Sequence, residues 1–446
     1  MIQAGGDDFL SLPLAEVGTD GLKSLFLDAA KPSDQWFVGT EIELFAFRES
    51  DMGAATHPEV AGLLERMGAL RQWEQERELD GALIGLKGDG QNVSIEPGGQ
   101  MEFATKPHRA LKGLRDEMIT YCDDLRGLGR DAGIGFWCMG QQPFVHLENA
   151  PHMPKPRYEM MRRYLRSRGA RALEMMHLTG SIQCTVDFAN EQNLVDKVRT
   201  SAKASAFLSA LVAASPFTRG APNGFKTVRY QIWLETDDER CGVWPEMFDG
   251  EGLTVERYIE RAMNAHPMFF IRDGAFRPAE AAPFSAFIES GFEGTPLSVR
   301  DFLDHLTTFF PEVRTKGYVE LRGADCLPPR FVAAVAGFWR GLLDDETTRK
   351  AVDHRLSAMG YDQVRALQPD VARLGLDADS AAGPVREVVS ELVGMAFDRL
   401  NKGAPDCAEC VQPLLELLED GRAPADRMLE TFEKQGMREA LDLVRI

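Results

Sequence analysis

No stretch of this chain is long and apolar enough to cross a membrane. The longest, Ala204–Ala214 and Phe331–Leu343, fall well short of the ~20 residues a span requires, and both carry or adjoin polar side chains. Met1–Leu10 contains Asp7 and Asp8 and lacks a basic start and an apolar core, so no secretory signal is expected and a cytoplasmic protein is. Basic residues are in deficit: 50 Lys and Arg against 69 Asp and Glu give a net charge of −19. That charge repels a phosphate backbone, so nucleic acid is not an expected partner. Cysteine is sparse, with seven scattered over 446 residues, the pattern of reduced cytosolic thiols. Cys407 and Cys410 form a C-x-x-C without a second pair or a histidine pair at zinc spacing, and read as two thiols flanking a helix. The eight histidines show no ligand spacing, which leaves packing or surface roles. Neither a Walker-type G-x-x-x-x-G-K-[ST] nor a dinucleotide G-x-G-x-x-G occurs, so a nucleotide would have to be held by metal ions and arginine on a sheet.

What is present is a globular composition, 44% hydrophobic, without internal repeats or low-complexity tracts. Spacings of three and four predict helices over Gly21–Ala30, Ala110–Arg130, Arg157–Met176, Gln192–Ser215, Pro329–Asp344 and most of 384–440. Residues 346–446 read as a helical C-terminal region packed on a catalytic domain of residues 1–345. Between the helices lie segments of period two. Trp36–Phe47 puts Glu41 and Glu43 on one face and Ile42 and Leu44 on the other. Val93–Thr105 reads as two strands around a Glu96–Gly99 turn, with Gln100 and Glu102 sharing a face. Thr179–Phe188 carries an unbroken polar face that includes Gln183. Arg229–Glu235 and Tyr318–Arg322 alternate likewise, the latter placing Glu320 beside Arg322.

Five such segments suit an antiparallel sheet with helices under its apolar face and a concavity on its polar face. A solvated outer face explains polar alternation in any one strand. Collectively the faces hold repulsive carboxylate pairs such as Glu41 and Glu43, about 7 Å apart by pleat geometry, and like charges at that distance call for a cation. Carboxylates with an amide oxygen and no Cys/His cluster select Mg²⁺, or Mn²⁺, over zinc or copper.

The blocks Gly39–Phe45 (GTEIELF), Ser94–Phe103 (SIEPGGQMEF), Met153–Tyr158 (MPKPRY), Thr179–Cys184 (TGSIQC), Ser215–Thr218 (SPFT), Arg229–Trp233 (RYQIW), His305–Pro311 (HLTTFFP) and Tyr318–Asp325 (YVELRGAD) resemble, in order, the glutamate–cysteine ligase family of plants and many bacteria. The likeness runs from about residue 36 to 345. It implies an α+β fold similar to glutamine synthetase: a curved, mainly antiparallel sheet forming a funnel, with helices outside. It further implies Glu41, Glu43, Glu96, Glu102, Gln183 and Glu320 as metal ligands, with Glu41 and Arg322 catalytic. Arg314, Lys316 and Arg322 then face the nucleotide, Arg322 meeting the transferring phosphoryl group. Arg157, Arg229 and Trp233 correspond to the substrate side. Where family members often carry a Gly-rich segment, this chain has Cys326-Leu-Pro-Pro329, which resembles the ergothioneine-pathway branch, so the resemblance leaves both a glutathione and an ergothioneine pathway open.

The implied reaction is ATP- and Mg²⁺-dependent joining of the glutamate γ-carboxylate to the amine of cysteine through a γ-glutamyl phosphate, in a monomer or weak dimer. A ligase of the same fold with a different amine is the alternative.

Overall fold

In a computed structural model, which describes residues 6–248, 253–403 and 405–446, four of the five period-two segments assemble with further strands into one nine-stranded sheet. Residues 1–5 of the N-terminal stretch read above, and residue 404 within the helical C-terminal region, lie outside the described residues. The strands are β1 (Val38–Arg48), β2 (Glu74–Arg77), β3 (Leu83–Lys87), β4 (Asn92–Ile95), β5 (Gln100–Ala104), β6 (Ile134–Trp137), β7 (Ser181–Val186), β8 (Val313–Thr315) and β9 (Val319–Asp325). They run in the order β8-β9-β7-β1-β5-β4-β3-β2, with β6 joined to the far end of β1, and every pairing is antiparallel. The sheet is open and surrounded by helices, as the α+β expectation requires.

The helices that matter for the site are α1 (Leu111–Ala132), α2 (Pro156–Leu165), α3 (Ala172–Leu178), α4 (Glu191–Leu211), α5 (Val228–Leu234), α6 (Arg330–Leu343), α7 (Tyr361–Leu374) and α8 (Val385–Gly403). α6 is apolar nearly all round, and such a helix must be buried on every side. It lies against β1 and β7 on one flank and against α1 and α8 on the other. Ile42 and Leu44 of β1 point into this layer and are fully buried. Truncating either to Ala is expected to cost about 2–5 kcal/mol. Burial on that scale fixes the register of β1, because a slip of one residue would send both glutamates into the core.

The opposite face of β1 changes character along its length. Glu41 and Glu43 are followed by Phe45 and Phe47, which cluster with Trp137 and with Met428, Leu441 and Val444 from the C-terminal end. Phe47 stacks on Trp137 with ring centroids 3.7 Å apart. The acidic half of the face therefore stays open while the aromatic half is roofed by the last helices.

Two expectations fail locally. Arg229–Glu235 is helix α5 and not a strand: the Thr227 side chain accepts from the Tyr230 N–H and caps it, and Val228, Arg229, Tyr230 and Ile232 are buried. Seven residues of alternation are compatible with either period, and the cap decides. The helix expected over Arg157–Met176 is split into α2 and α3. Between them Gly169 passes so close to the next segment that a Cβ would stand 1.8 Å from the Thr236 carbonyl oxygen. The C-terminal region is helical apart from the short pair Asp379–Ser380 and Gly383–Pro384.

Candidate active site

Strand register brings the acids together. Glu41 stands opposite Gln183 of β7, and Glu43 opposite Glu102 of β5. Ser94 faces Glu102 from β4, and Glu320 of β9 faces Thr185 on one side and Arg314 of β8 on the other. Directly opposed residues have Cβ atoms about 4.5–5.5 Å apart, so these carboxylates share one surface. Glu96 joins them from the turn between β4 and β5. The Ser94 hydroxyl lies 3.4 Å from Glu96 and 3.3 Å from Glu102, and the Tyr158 hydroxyl is 3.4 Å from Glu96.

Two electrostatic regimes occupy this surface. Burial, with repulsion from Glu96, pushes Glu43 up to about 7, although Arg229 and Arg322 oppose the shift. Glu41 is raised by burial and by Glu320, and Glu102 by burial and by Glu41, Glu96 and Glu43. The only neutral support for Glu43 comes from the Ser181 hydroxyl at 2.9 Å and the Gln183 amide at 3.0 Å, among the hydrogen bonds of the described residues. Glu320 is the reverse case. Burial opposes its charge, yet Arg314, Lys316 and Arg322 hold it well below the usual carboxylate range. Arg314 grips it with two nitrogens, one of them at 2.8 Å, and Arg322 lies 3.3 Å away while also donating to the Gln183 carbonyl. Lys316 sits 4.0 Å from Glu320, its own pKa lowered by burial and by Arg314 to about 8.

The sequence-derived residues thus fall into a core and two flanks. Glu41, Glu43, Glu96, Glu102, Gln183, Glu320, Arg314, Lys316 and Arg322 are mutually linked. Arg157 reaches the cluster through the fields of Glu96 and Arg314, while its Nη2 donates to the Thr307 carbonyl at 2.9 Å. Arg229 and Trp233 line a small pocket with Phe310 and Arg322. A wider cleft opens at the other end, past Gly39, Thr185 and Tyr318, and is rimmed by Lys31 and Lys106. Two buried acids were not singled out from sequence. Glu312 accepts from Ser205, Tyr230 and Gln368, and Asp325 accepts from Ser215, Thr227 and the Ala214 N–H. Asp325 belongs to a recognisable block, but its partners lie about a hundred residues away in sequence, so nothing local marks it.

An all-oxygen set of glutamates whose charge is disfavoured until a cation arrives fits a hard divalent ion in donor type and in charge. Among the described residues no three of His, Cys, Asp and Glu converge closely enough to enclose an ion by themselves.

An antiparallel sheet that gathers five glutamates against Arg314, Lys316 and Arg322 is the apparatus of a ligase. The chain belongs to the glutamate–cysteine ligase family 2, whose model matches residues 37–445 and so extends through the C-terminal helices that the sequence blocks left out. It is 32% identical over 423 residues to the chloroplastic glutamate–cysteine ligase B of Oryza sativa subsp. japonica, covering 94% of this chain and 85% of the relative. The chloroplastic glutamate–cysteine ligase of Arabidopsis thaliana is 32% identical over 416 residues, 93% of this chain and 79% of the relative. In fold it matches a crystal structure of glutamate–cysteine ligase from Francisella tularensis in complex with AMP. That match has a TM-score of 0.56 at 13% identity, covering 92% of this chain and 87% of that one.

Proposed function

We propose that the protein joins the γ-carboxylate of glutamate to the amine of cysteine at the expense of ATP, giving γ-glutamylcysteine. The observation that carries this reading is the division of one sheet face into a carboxylate cluster awaiting cations and a corner where cations are already assembled. A carboxylate is a poor electrophile, so the γ-carboxylate oxygen first attacks the γ-phosphorus of ATP and ADP leaves. The cysteine amine then attacks the carbonyl carbon of γ-glutamyl phosphate, loses a proton and expels inorganic phosphate.

ATP enters through the cleft beside Gly39, Thr185 and Tyr318, with Lys31 and Lys106 at its rim. Lys316 and Arg322 meet the phosphate charge. Glu41, Glu43, Glu96 and Glu102 would hold Mg²⁺, with Gln183 lending its amide oxygen. When bound, Mg²⁺ neutralises the charge of the transferring phosphoryl group. Glu320 acts differently from the ligand role its motif implies. Paired with Arg314, it holds Arg322 toward Gln183, where a phosphoryl group carried between β1 and β7 would lie. Arg157 and Trp233 flank the amino-acid end.

Seven cysteines, all buried, fit a reducing compartment such as the cytoplasm. The product is a thiol dipeptide that a route to glutathione or to ergothioneine would consume. Mass spectrometry of a reaction of glutamate, cysteine, ATP and Mg²⁺ is expected to show γ-glutamylcysteine, ADP and phosphate. Product formed only with another amine from a panel would replace cysteine as the substrate. No Mg²⁺-dependent ATP turnover with any amino-acid pair would overturn the ligase reading.

A further inference from the structure

Arg322 does not sit on a regular strand. Between β9 and β7 the register runs from Leu321 opposite Cys184 to Ala324 opposite Ile182, so β9 carries one residue more than its partner across Arg322 and Gly323. A β-bulge of this kind re-aims a side chain, and its displaced carbonyls need donors from outside the ladder. Here the donor is Arg229. Its Nη2 donates to the Arg322 carbonyl at 2.8 Å and its Nη1 to the Gly323 carbonyl at 3.1 Å, with the side chain only 3% exposed. The Ser209 hydroxyl adds a donor 3.0 Å from the Gly323 carbonyl.

The surroundings hold both partners in place. The Arg229 N–H donates to the Ser215 hydroxyl, which donates in turn to Asp325, and Thr227 donates to the same carboxylate at 2.9 Å. On the other side the Arg322 N–H donates to the Glu312 carbonyl at 3.1 Å. Gly323 is closely packed against α4 and Glu312: a Cβ would stand 2.5 Å from the Ser205 hydroxyl and 2.8 Å from a Glu312 carboxylate oxygen. The bulge is therefore packed below by Glu312 and Ser205 and clamped above by one guanidinium.

We infer that Arg229 is a positioning residue that fixes the Arg322–Gly323 bulge and so aims the Arg322 guanidinium at the reacting phosphoryl group. This differs from the substrate-carboxylate contact that its motif implies, and it rests on the role proposed above for Arg322. Two of the donors that would make a bidentate carboxylate clamp are spent on backbone carbonyls. A planar fork spanning two carbonyls cannot be replaced by an ammonium group.

The test compares Arg229→Lys, Ser209→Ala and Arg322→Ala by steady-state kinetics and by hydrogen exchange of the segment 319–325. Arg229→Lys is expected to lower kcat about tenfold or more while the KM for glutamate stays within about twofold. Ser209→Ala should move kcat in the same direction by about two- to fivefold, and it keeps the question open to measurement if Arg229→Lys folds poorly. In the Arg322→Ala background, Arg229→Lys should cost little further, since both act through one group. Exchange at 319–325 should quicken in Arg229→Lys. Unchanged exchange there overturns the clamp, and a rise in glutamate KM with kcat preserved returns Arg229 to the substrate. If Arg322→Ala keeps full turnover while exchange in Arg229→Lys quickens, the clamp stands and the role of Arg322 falls.

Discussion

Glu102 and Glu320 are the same residue type on the same concave face, and the protein keeps them in opposite states. Glu102, surrounded by Glu41, Glu43 and Glu96, resists ionisation. Glu320, gripped by Arg314 and approached by Lys316 and Arg322, is a settled anion. The difference lies in the neighbouring elements rather than in either glutamate: β1 and the β4–β5 turn bring more acid to Glu102, while β8 brings Arg314 to Glu320. One half of the face is thus incomplete without a cation, and the other half is complete and rigid. A reaction that must accept a polyanion together with its metal and hold it against a fixed positive group needs both.

The largest break in this comparison comes from removing the fixed positive group. Arg322→Ala is expected to lower kcat about 10³-fold or more, by analogy with other cations that stabilise phosphoryl transfer. Phosphate release at saturating glutamate, cysteine and ATP measures it. A loss confined to KM would place Arg322 in ground-state binding alone.

The comparison sharpens when one substitution is made in both halves. Glu320→Gln leaves Arg314 and Arg322 without their anion in a buried setting, which should destabilise the metal-free protein by about 3 kcal/mol. Glu102→Gln removes a repelling charge, so its thermal midpoint without metal should hold or rise while its Mg²⁺ requirement grows. Equal losses of stability in the two variants would mean that the halves do not differ.

Much of this was legible in sequence, and what was missed has a common cause. Alternation in Trp36–Phe47, Val93–Thr105 and Tyr318–Arg322 places Glu41, Glu43, Glu102 and Glu320 on the face they share in the structure, because pleat geometry is local, while Glu96 joins them from a turn. Arg229–Glu235 was misread because the deciding contacts are a cap from Thr227 and burial against distant segments. The same limit hid the partner of Glu320. Arg314 is six residues away and belongs to no alternating segment, so nothing local shows that Glu320, read as a metal ligand, also pairs with an arginine. Glu312 and Asp325 escaped notice for the same reason, since burial and long-range donors define them.

A smaller effect follows from the proton count of the open half. Unfolded, Glu43 titrates near the ordinary 4.5; folded, it titrates at about 7. Between those values the folded chain keeps a proton that the unfolded chain has lost, so in metal-free protein Glu43 lowers stability as pH rises through this window and holds the loss above it. Melting wild-type and Glu43→Gln proteins from pH 4 to 8 in chelator should show wild-type stability falling relative to the variant between about pH 4.5 and 7. Mg²⁺ at pH 8 should recover part of the loss in wild-type protein only. A flat difference would mean that burial does not act on Glu43 as described.

The smallest predicted change probes how finely the open half is tuned. The Ser181 hydroxyl donates to Glu43 at 2.9 Å and is one of two neutral groups that favour its charged form. Ser181→Ala deletes that donor without touching the carboxylate, so Glu43 should hold its charge less readily and release a metal ion more easily. A single hydrogen bond to a charged group is worth little after exchange with water, so the Mg²⁺ concentration for half-maximal activity should rise about three- to tenfold. At saturating Mg²⁺ the variant should recover kcat to within about twofold, because the ligand set is intact. The Gln183 amide, the other donor, is already engaged by Arg322 through its carbonyl and cannot shift to compensate without moving that cation. A fall in kcat that Mg²⁺ does not rescue would show that Ser181 shapes β7 beneath the reacting groups instead of steadying the charge on Glu43.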